Sequence, residues 1–345
     1  MGNIRRFAAI NTKIKGMERR LLQRDDYLNM LHKKSVAEIG AYLKERTDYA
    51  VVLKGVQTEH IRRDMLEQLI QNYVDYQFEK LFHYFIDEYR KFIKFLYQRY
   101  EIENLKLYLR ALTRGENLAA LYQTVEKPAS LPYEKMAQAQ NMEELVNYLR
   151  QSPYYLVLSP LLQEEEDKRL FHMEMHLDIQ YFCRLQEQSV KLGKEDRRLL
   201  EEILGVQVDL LNLQWIYRGI RFYGLSPEEL FNYMLPGGQN YGFRKIKELC
   251  YAKDERDFIQ RLGESPYDFL FDNQQTQDIF MERRIARYFY FLFQKYKKHE
   301  KMNMGEAMIY IHLLEYQRRD IISMIEAIRY GLEEDEVKRY LIRKL

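Results

Sequence analysis

The nearest thing to a metal site in this sequence is HMEMH, where His172 and His176 stand one helical turn apart. Side chains at i and i+4 share a helix face, and two imidazoles at that spacing can bind zinc. Cys183, seven residues further on, could supply a third ligand. The glutamate is wrongly placed for metal-assisted hydrolysis. In HExxH it follows the first histidine directly, whereas Glu174 sits two residues on and points to the opposite face. A packed or surface histidine pair is the simpler reading.

Other chemistry-bearing patterns are weaker. The loop PGGQNYG, Pro236 to Gly242, lacks the GK[ST] that would hold phosphate and metal, and it follows a helix instead of a strand, so it reads as a linker. The carboxylates from Glu164 to Asp167 and from Glu333 to Glu336 lie at helix starts, where acids complement the macrodipole. In YRKFIKFLYQRY, Tyr89 to Tyr100, basic and aromatic residues interleave as on nucleic-acid surfaces, but on a helix the two types separate onto different faces. The chain has 29 Tyr and 18 Phe, and tyrosine-rich helices suit protein interfaces. No catalytic constellation and no cofactor motif emerges.

The elements that must carry these residues are helices. Fifteen Gly and seven Pro in 345 residues are few, and 46% hydrophobic residues supply a substantial core. With 54 basic against 52 acidic residues, the net charge of +2 argues against nucleic acid as a partner. Cys183 and Cys250 form no CxxC pair, which fits a reducing, cytoplasmic setting. There is no long apolar stretch and no secretory leader, and Arg6 stands where a myristoylation motif needs Ser or Thr. Any membrane role is expected to run through a partner.

An internal repeat organises the chain. SVAEIGAYLKERTDY (Ser35 to Tyr49), NMEELVNYLRQSPY (Asn141 to Tyr154) and DERDFIQRLGESPY (Asp254 to Tyr267) share one pattern. Ser35, Asn141 and Asp254 are N-cap residues, each followed three positions on by Glu38, Glu144 or Asp257. Each helix should end at Thr47, Ser152 or Ser265, just before a tyrosine.

A second triplet is ENLKLYLRALTRG (Glu103 to Gly115), LNLQWIYRGIRFYG (Leu211 to Gly224) and RDIISMIEAIRYG (Arg319 to Gly331). Asn104, Asn212 and Asp320 are spaced 108 and 108 apart. Counting each as zero, positions +1, +4, +5 and +8 form an apolar stripe: Leu105, Tyr108, Leu109 and Leu112; Leu213, Ile216, Tyr217 and Ile220; Ile321, Met324, Ile325 and Ile328. Position +7 is small, as Ala111, Gly219 and Ala327, which would let a neighbouring helix approach. Gly115, Gly224 and Gly331 then supply the left-handed stop. Glu174 and Glu282 each lie 38 residues before position zero, with Glu67 one residue out of step.

The repeat predicts an all-α protein of three helical domains, 1–127, 128–236 and 237–345, with junctions in VEKPASLP and LPGGQNYG. Three such domains can surround a pseudo-threefold axis as a funnel or lie in a line. Opposite the stripe, at about 200–280° on a wheel of 100° per residue, lie Lys106, Arg110 and Arg114, with Arg218 and Arg221 on the matching face of the second unit. They are expected to be free for a partner.

This pattern resembles the C subunit of the bacterial and archaeal V-type (A-type) rotary ATPases, which is similar to the d subunit of the eukaryotic vacuolar enzyme. FAAINTKIKGMERRLL from Phe7, NLKLYLRAL from Asn104, NLQWIYRGI from Asn212 and LPGGQNYG from Leu235 carry the resemblance, in order and along the whole chain. The sequence departs from it at Lys13, in Asp320-Ile321 where the other units have Asn-Leu, and at Glu326 where they have Arg110 and Arg218. The resemblance implies a non-catalytic component of the central stalk. It would be a socket linking a shaft of the D and F subunits to the membrane rotor ring, on the cytoplasmic face, and would pass on rotation for ATP-coupled proton or sodium transport. Isolated, it would be a monomer. The residues alone equally support a helical-repeat adaptor or scaffold for an unrelated partner. An enzyme with a metal at His172, His176 and Cys183 ranks third.

Overall fold

The computed structural model describes residues 3–124, 131–271, 277–297 and 302–345. It is 75% helical, as the all-α reading expects, and the described residues contain no strand.

Each sequence copy carries two long helices: α1 (Arg63–Phe82) and α2 (Asp87–Thr113), α3 (Glu166–Ser189) and α4 (Lys194–Arg218), α5 (Gln277–Lys297) and α6 (Gly305–Tyr330). The chain forms two compact units, a central one of 87–268 and a terminal one that joins 1–86 to 269–345. The copies divide the sequence and the units divide the packing, so α1 and α2 belong to different units. In the central unit α2 runs along α3; in the terminal unit α6 runs along α1. In both, the second long helix of one copy lies on the first long helix of the next, the third copy being followed by the first. The terminal unit ties the chain's two ends together. Leu22 N donates to Gln317 Oε1 at 2.7 Å, and Arg343 Nη1 donates to Leu22 O at 2.7 Å.

The short helices Val36–Arg46, Met142–Tyr148 and Glu255–Leu262 begin at the three expected caps. The side chains of Ser35, Asn141 and Asp254 accept from the backbone of Glu38, Glu144 and Asp257 at 3.2, 2.9 and 2.8 Å. The returning carboxylates take the N–H one residue before the cap, on Lys34, Gln140 and Lys253. After each helix a hydroxyl turns the chain. Thr47, Ser152 and Ser265 accept from the N–H of Tyr49, Tyr154 and Tyr267, which fixes the direction in which each tyrosine enters the core.

The long-helix stripes are buried at +1, +4 and +5 in all three copies, with Leu112, Ile220 and Ile328 at +8 half-buried. The stops follow one scheme. Gly115, Gly224 and Gly331 adopt φ of +67°, +54° and +62°, and the next residue's N–H returns to the carbonyl of the small position, Ala111, Gly219 or Ala327. The second copy has one residue more between position zero and its glycine. A π turn over Gly219–Tyr223 absorbs it, so the stop is kept. At Gly219 a Cβ would lie 2.3 Å from Leu230 Cδ2. What approaches this small position is Leu230 of the short helix Pro227–Asn232.

Candidate partner-contact surface

Position zero is a clamp on the chain that leaves its own copy. Asn104 Nδ2 donates to Tyr133 Oη at 3.2 Å. Asn212 Nδ2 donates to Leu235 O, and Leu235 N donates back to Asn212 Oδ1, both at 2.9 Å. Asp320 takes two amides, Ile342 N on Oδ1 at 2.6 Å and Arg343 N on Oδ2 at 3.1 Å. The change from Asn to Asp has a direct cause: one partner set is a donor with an acceptor, the other is two donors. Burial pushes the Asp320 carboxyl up to about 7, against the pull of those two amides and of Arg319 and Arg287.

One turn earlier lies a set that the repeat pattern does not single out: Glu101, Asp209 and Gln317, each three residues before position zero. Each meets the tyrosine of the following copy. Tyr154 Oη donates to Glu101 at 2.9 Å, Tyr267 Oη donates to Asp209 at 3.1 Å, and Gln317 Nε2 donates to Tyr49 Oη at 3.0 Å. Buried polar residues at a constant offset were the signal available in the sequence, but their types differ. Asp209 also accepts from Asn240 N at 2.7 Å and Tyr241 N at 3.1 Å, so the PGGQNYG loop is wound onto α4. At Gly238 a Cβ would stand 2.1 Å from Asp209 Oδ1, which requires glycine there.

The cations chosen from the wheel do not share one free face. Lys106 is only 6% exposed, and its Nζ lies 2.5 Å from Asp178 Oδ1. Burial alone would lower its pKa, but Asp178 and Glu103 carry it above the usual lysine value. Arg110 forms a two-pronged pair with Glu174 of α3, at 2.5 and 2.8 Å. Both cations, expected to be free for a partner, are therefore spent inside the chain. A wheel drawn on one stripe assumes one packed side, whereas α2 is covered on a second side by α3.

Arg218 is half-buried, and Gln214, with its amide turned to satisfy both groups, accepts from it at 3.1 Å. Arg221 meets Tyr217 Oη and pairs with Glu255 at 3.1 Å. Arg114 stays largely in solvent, beside Glu116 at 2.6 Å.

Glu326, which replaces the arginine of the other copies, preserves the contact with its charges exchanged. It pairs with Arg63 of α1, and Arg63 in turn holds Glu67 at 2.6 Å. Arg110 of α2 facing Glu174 of α3 thus has its counterpart in Glu326 of α6 facing Arg63 of α1.

The histidines pack on one ring. Tyr233 lies 5.0 Å from His172 and 5.3 Å from His176, and Glu164 stands 3.3 Å from His172 Nδ1. Among the described residues no three His, Cys, Asp or Glu side chains converge as metal ligands. Glu174, on the other face, is engaged with Arg110. None of the described helices is long and apolar enough to cross a membrane.

These features define an all-helical, internally repeated protein. Residues 10–340 match the family model described as ATP synthase (C/AC39) subunit, and the chain belongs to that family. It is similar to the C subunit of the A-type ATP synthase of Methanocaldococcus jannaschii, 23% identical over 97% of this chain and 86% of that protein. The corresponding protein of Methanosarcina mazei is 24% identical over 82% of this chain and 78% of its own. That of Thermococcus kodakarensis is 22% identical over 96% and 89%.

Proposed function

We propose that this chain is the C subunit of an A-type rotary ATPase, a non-catalytic coupling in its central stalk. The observation that carries the reading is the family match across residues 10–340, with relatives named as the C subunit of A-type ATP synthases aligned over nearly the whole chain. The three-copy architecture supports it. A part that transmits torque needs stiffness more than a reaction centre, and the tyrosine contacts one turn before position zero knit successive copies together.

In this reading the protein seats the shaft of the D and F subunits on the membrane rotor ring at the cytoplasmic face. Rotation then passes through it during ATP-coupled proton or sodium transport. It makes and breaks no bond itself and needs no cofactor. The test is reconstitution of membranes stripped of this protein. With the chain restored, ATP hydrolysis should drive ion pumping; without it, hydrolysis should persist while pumping is lost. Equal pumping with and without the chain would sink the proposal and favour an unrelated adaptor.

A further inference from the structure

The first and second copies, and the second and third, follow one another along the chain, whereas no peptide link joins the third copy to the first. There the segment 341–343 ties the joint, held as backbone by two side chains. Asp320 of α6 accepts from Ile342 N and Arg343 N at 2.6 and 3.1 Å. Arg287 of α5 donates from Nε to Ile342 O at 3.2 Å and from Nη2 to Leu341 O. The Leu341 and Ile342 side chains are buried. Arg343 then reaches the first copy, where it donates to Leu22 O at 2.7 Å and lies 5.1 Å from the Tyr27 centroid.

What leads to this tip holds on weakly. The helix Glu334–Tyr340 buries Val337 alone, and Tyr340 meets Phe280 of α5 with centroids 5.3 Å apart. Phe280, Arg283 and Arg287 stand at i, i+3 and i+7, on the face of α5 turned to this segment. Arg283 lies 4.4 Å over the Phe280 ring, and its buried Nε has no hydrogen-bond partner among the described residues. Burial and the guanidiniums of Arg287 and Arg284 push Arg283 down to about 10. Arg287 donates to neutral carbonyls here, although Asp320 is near enough to attract it. The closed arrangement thus keeps desolvated cations side by side and leaves a buried acid and base unpaired with each other, both of which are costly.

We propose that residues 334–343 form a strap that releases as a unit and opens the joint between the third and first copies, while the joints of the central unit stay shut. Release lets water reach Arg283 and lets Arg287 pair with Asp320, so the open arrangement has contacts of its own, as a two-state element requires. Exposing Leu341 and Ile342 opposes release and keeps the strap closed most of the time. The central unit has no such strap. There Asn212 holds Leu235, and Asp209 holds Asn240 and Tyr241, within a chain that continues on both sides. The protein then has one joint that yields and two that do not.

Hydrogen exchange resolved to single amides tests this on the full-length chain, since local opening shows as exchange faster than that of the core. The amides of Ile342 and Arg343, and that of Leu22, which donates to Gln317, should exchange at least a hundredfold faster than those of Leu235 and Tyr241. Arg283→Met keeps an apolar stem over Phe280 and removes the crowded charge, so it should hold the strap closed and slow the exchange of Ile342 and Arg343 at least threefold. A contact that served packing alone would be loosened by losing the arginine. Strap amides as slow as Leu235 and Tyr241 overturn the proposal. So does fast exchange at Ile342 and Arg343 with Leu22 still slow, which would be local fraying without an opened joint. An Arg283→Met strap that exchanges no more slowly than the wild type overturns it as well.

Discussion

Asp320 receives the backbone N–H of Ile342 at 2.6 Å, and with that of Arg343 it fastens the end of the chain to α6. An amide at this position has only one oxygen and would turn its NH2 toward the second N–H. Asp320→Asn, although it copies the residue of the other two copies, should destabilise the protein by about 1–3 kcal/mol when measured at about pH 5. Urea denaturation measures this; a variant as stable as wild type would mean the second amide is not held.

The same carboxyl gives a pH signature. Its folded pKa, near 7, lies above the ordinary aspartate value of 3.8, so its contribution to stability is full below about pH 4 and is lost as pH rises through about 7. Wild-type stability should therefore fall between about pH 4 and pH 7 more steeply than that of Asp320→Asn, by at most about 1.4 kcal/mol per pH unit. Parallel pH profiles of the two proteins would count against a protonated Asp320.

Gly219 tests the small position. A Cβ there meets Leu230, so Gly219→Leu should cost about 1–3 kcal/mol by overpacking. Gly219→Ala combined with Leu230→Ala should be less harmful than the two single costs added, since the smaller side chain makes room. Additive thermal shifts would show that Leu230 escapes elsewhere.

Arg110 and Arg114, four residues apart, should behave differently. Arg110→Glu would face Glu174 and lose up to about 1 kcal/mol or somewhat more, because the pair is only partly shielded. Adding Glu174→Arg should restore most of it. Arg114→Glu, in solvent, should stay within about 0.5 kcal/mol of wild type. Equal effects at both positions would contradict the pairing.

For the tyrosine contacts the prediction is an order. Asp209 keeps the amides of Asn240 and Tyr241 when Tyr267→Phe removes one donor, so that loss should be about 1 kcal/mol. Asp209→Ala strands both amides and the Tyr267 hydroxyl and should cost about 3 kcal/mol or more. A reversed order in chemical denaturation would place the loop's anchor elsewhere.

Much of this was legible in the sequence because it is local. Ser35, Asn141 and Asp254 cap their helices through atoms three residues away, and Gly115, Gly224 and Gly331 stop theirs within one turn, so residue type and spacing suffice to locate them. The stripes at +1, +4 and +5 follow from helical geometry alone. The tertiary structure decided whatever depends on a second partner. Lys106 and Arg110 look solvent-facing on a wheel, yet α3, distant in sequence, brings Asp178 and Glu174 to meet them. Nor can a periodic pattern reveal that Glu326 and Arg63 exchange the charges of Arg110 and Glu174, or that Gln317 reaches Tyr49 from the far end of the chain. The physical reason is that helix periodicity records only that a face is buried. Which copy covers it is settled when helices from separate copies pack and each buried polar group must find its partner there.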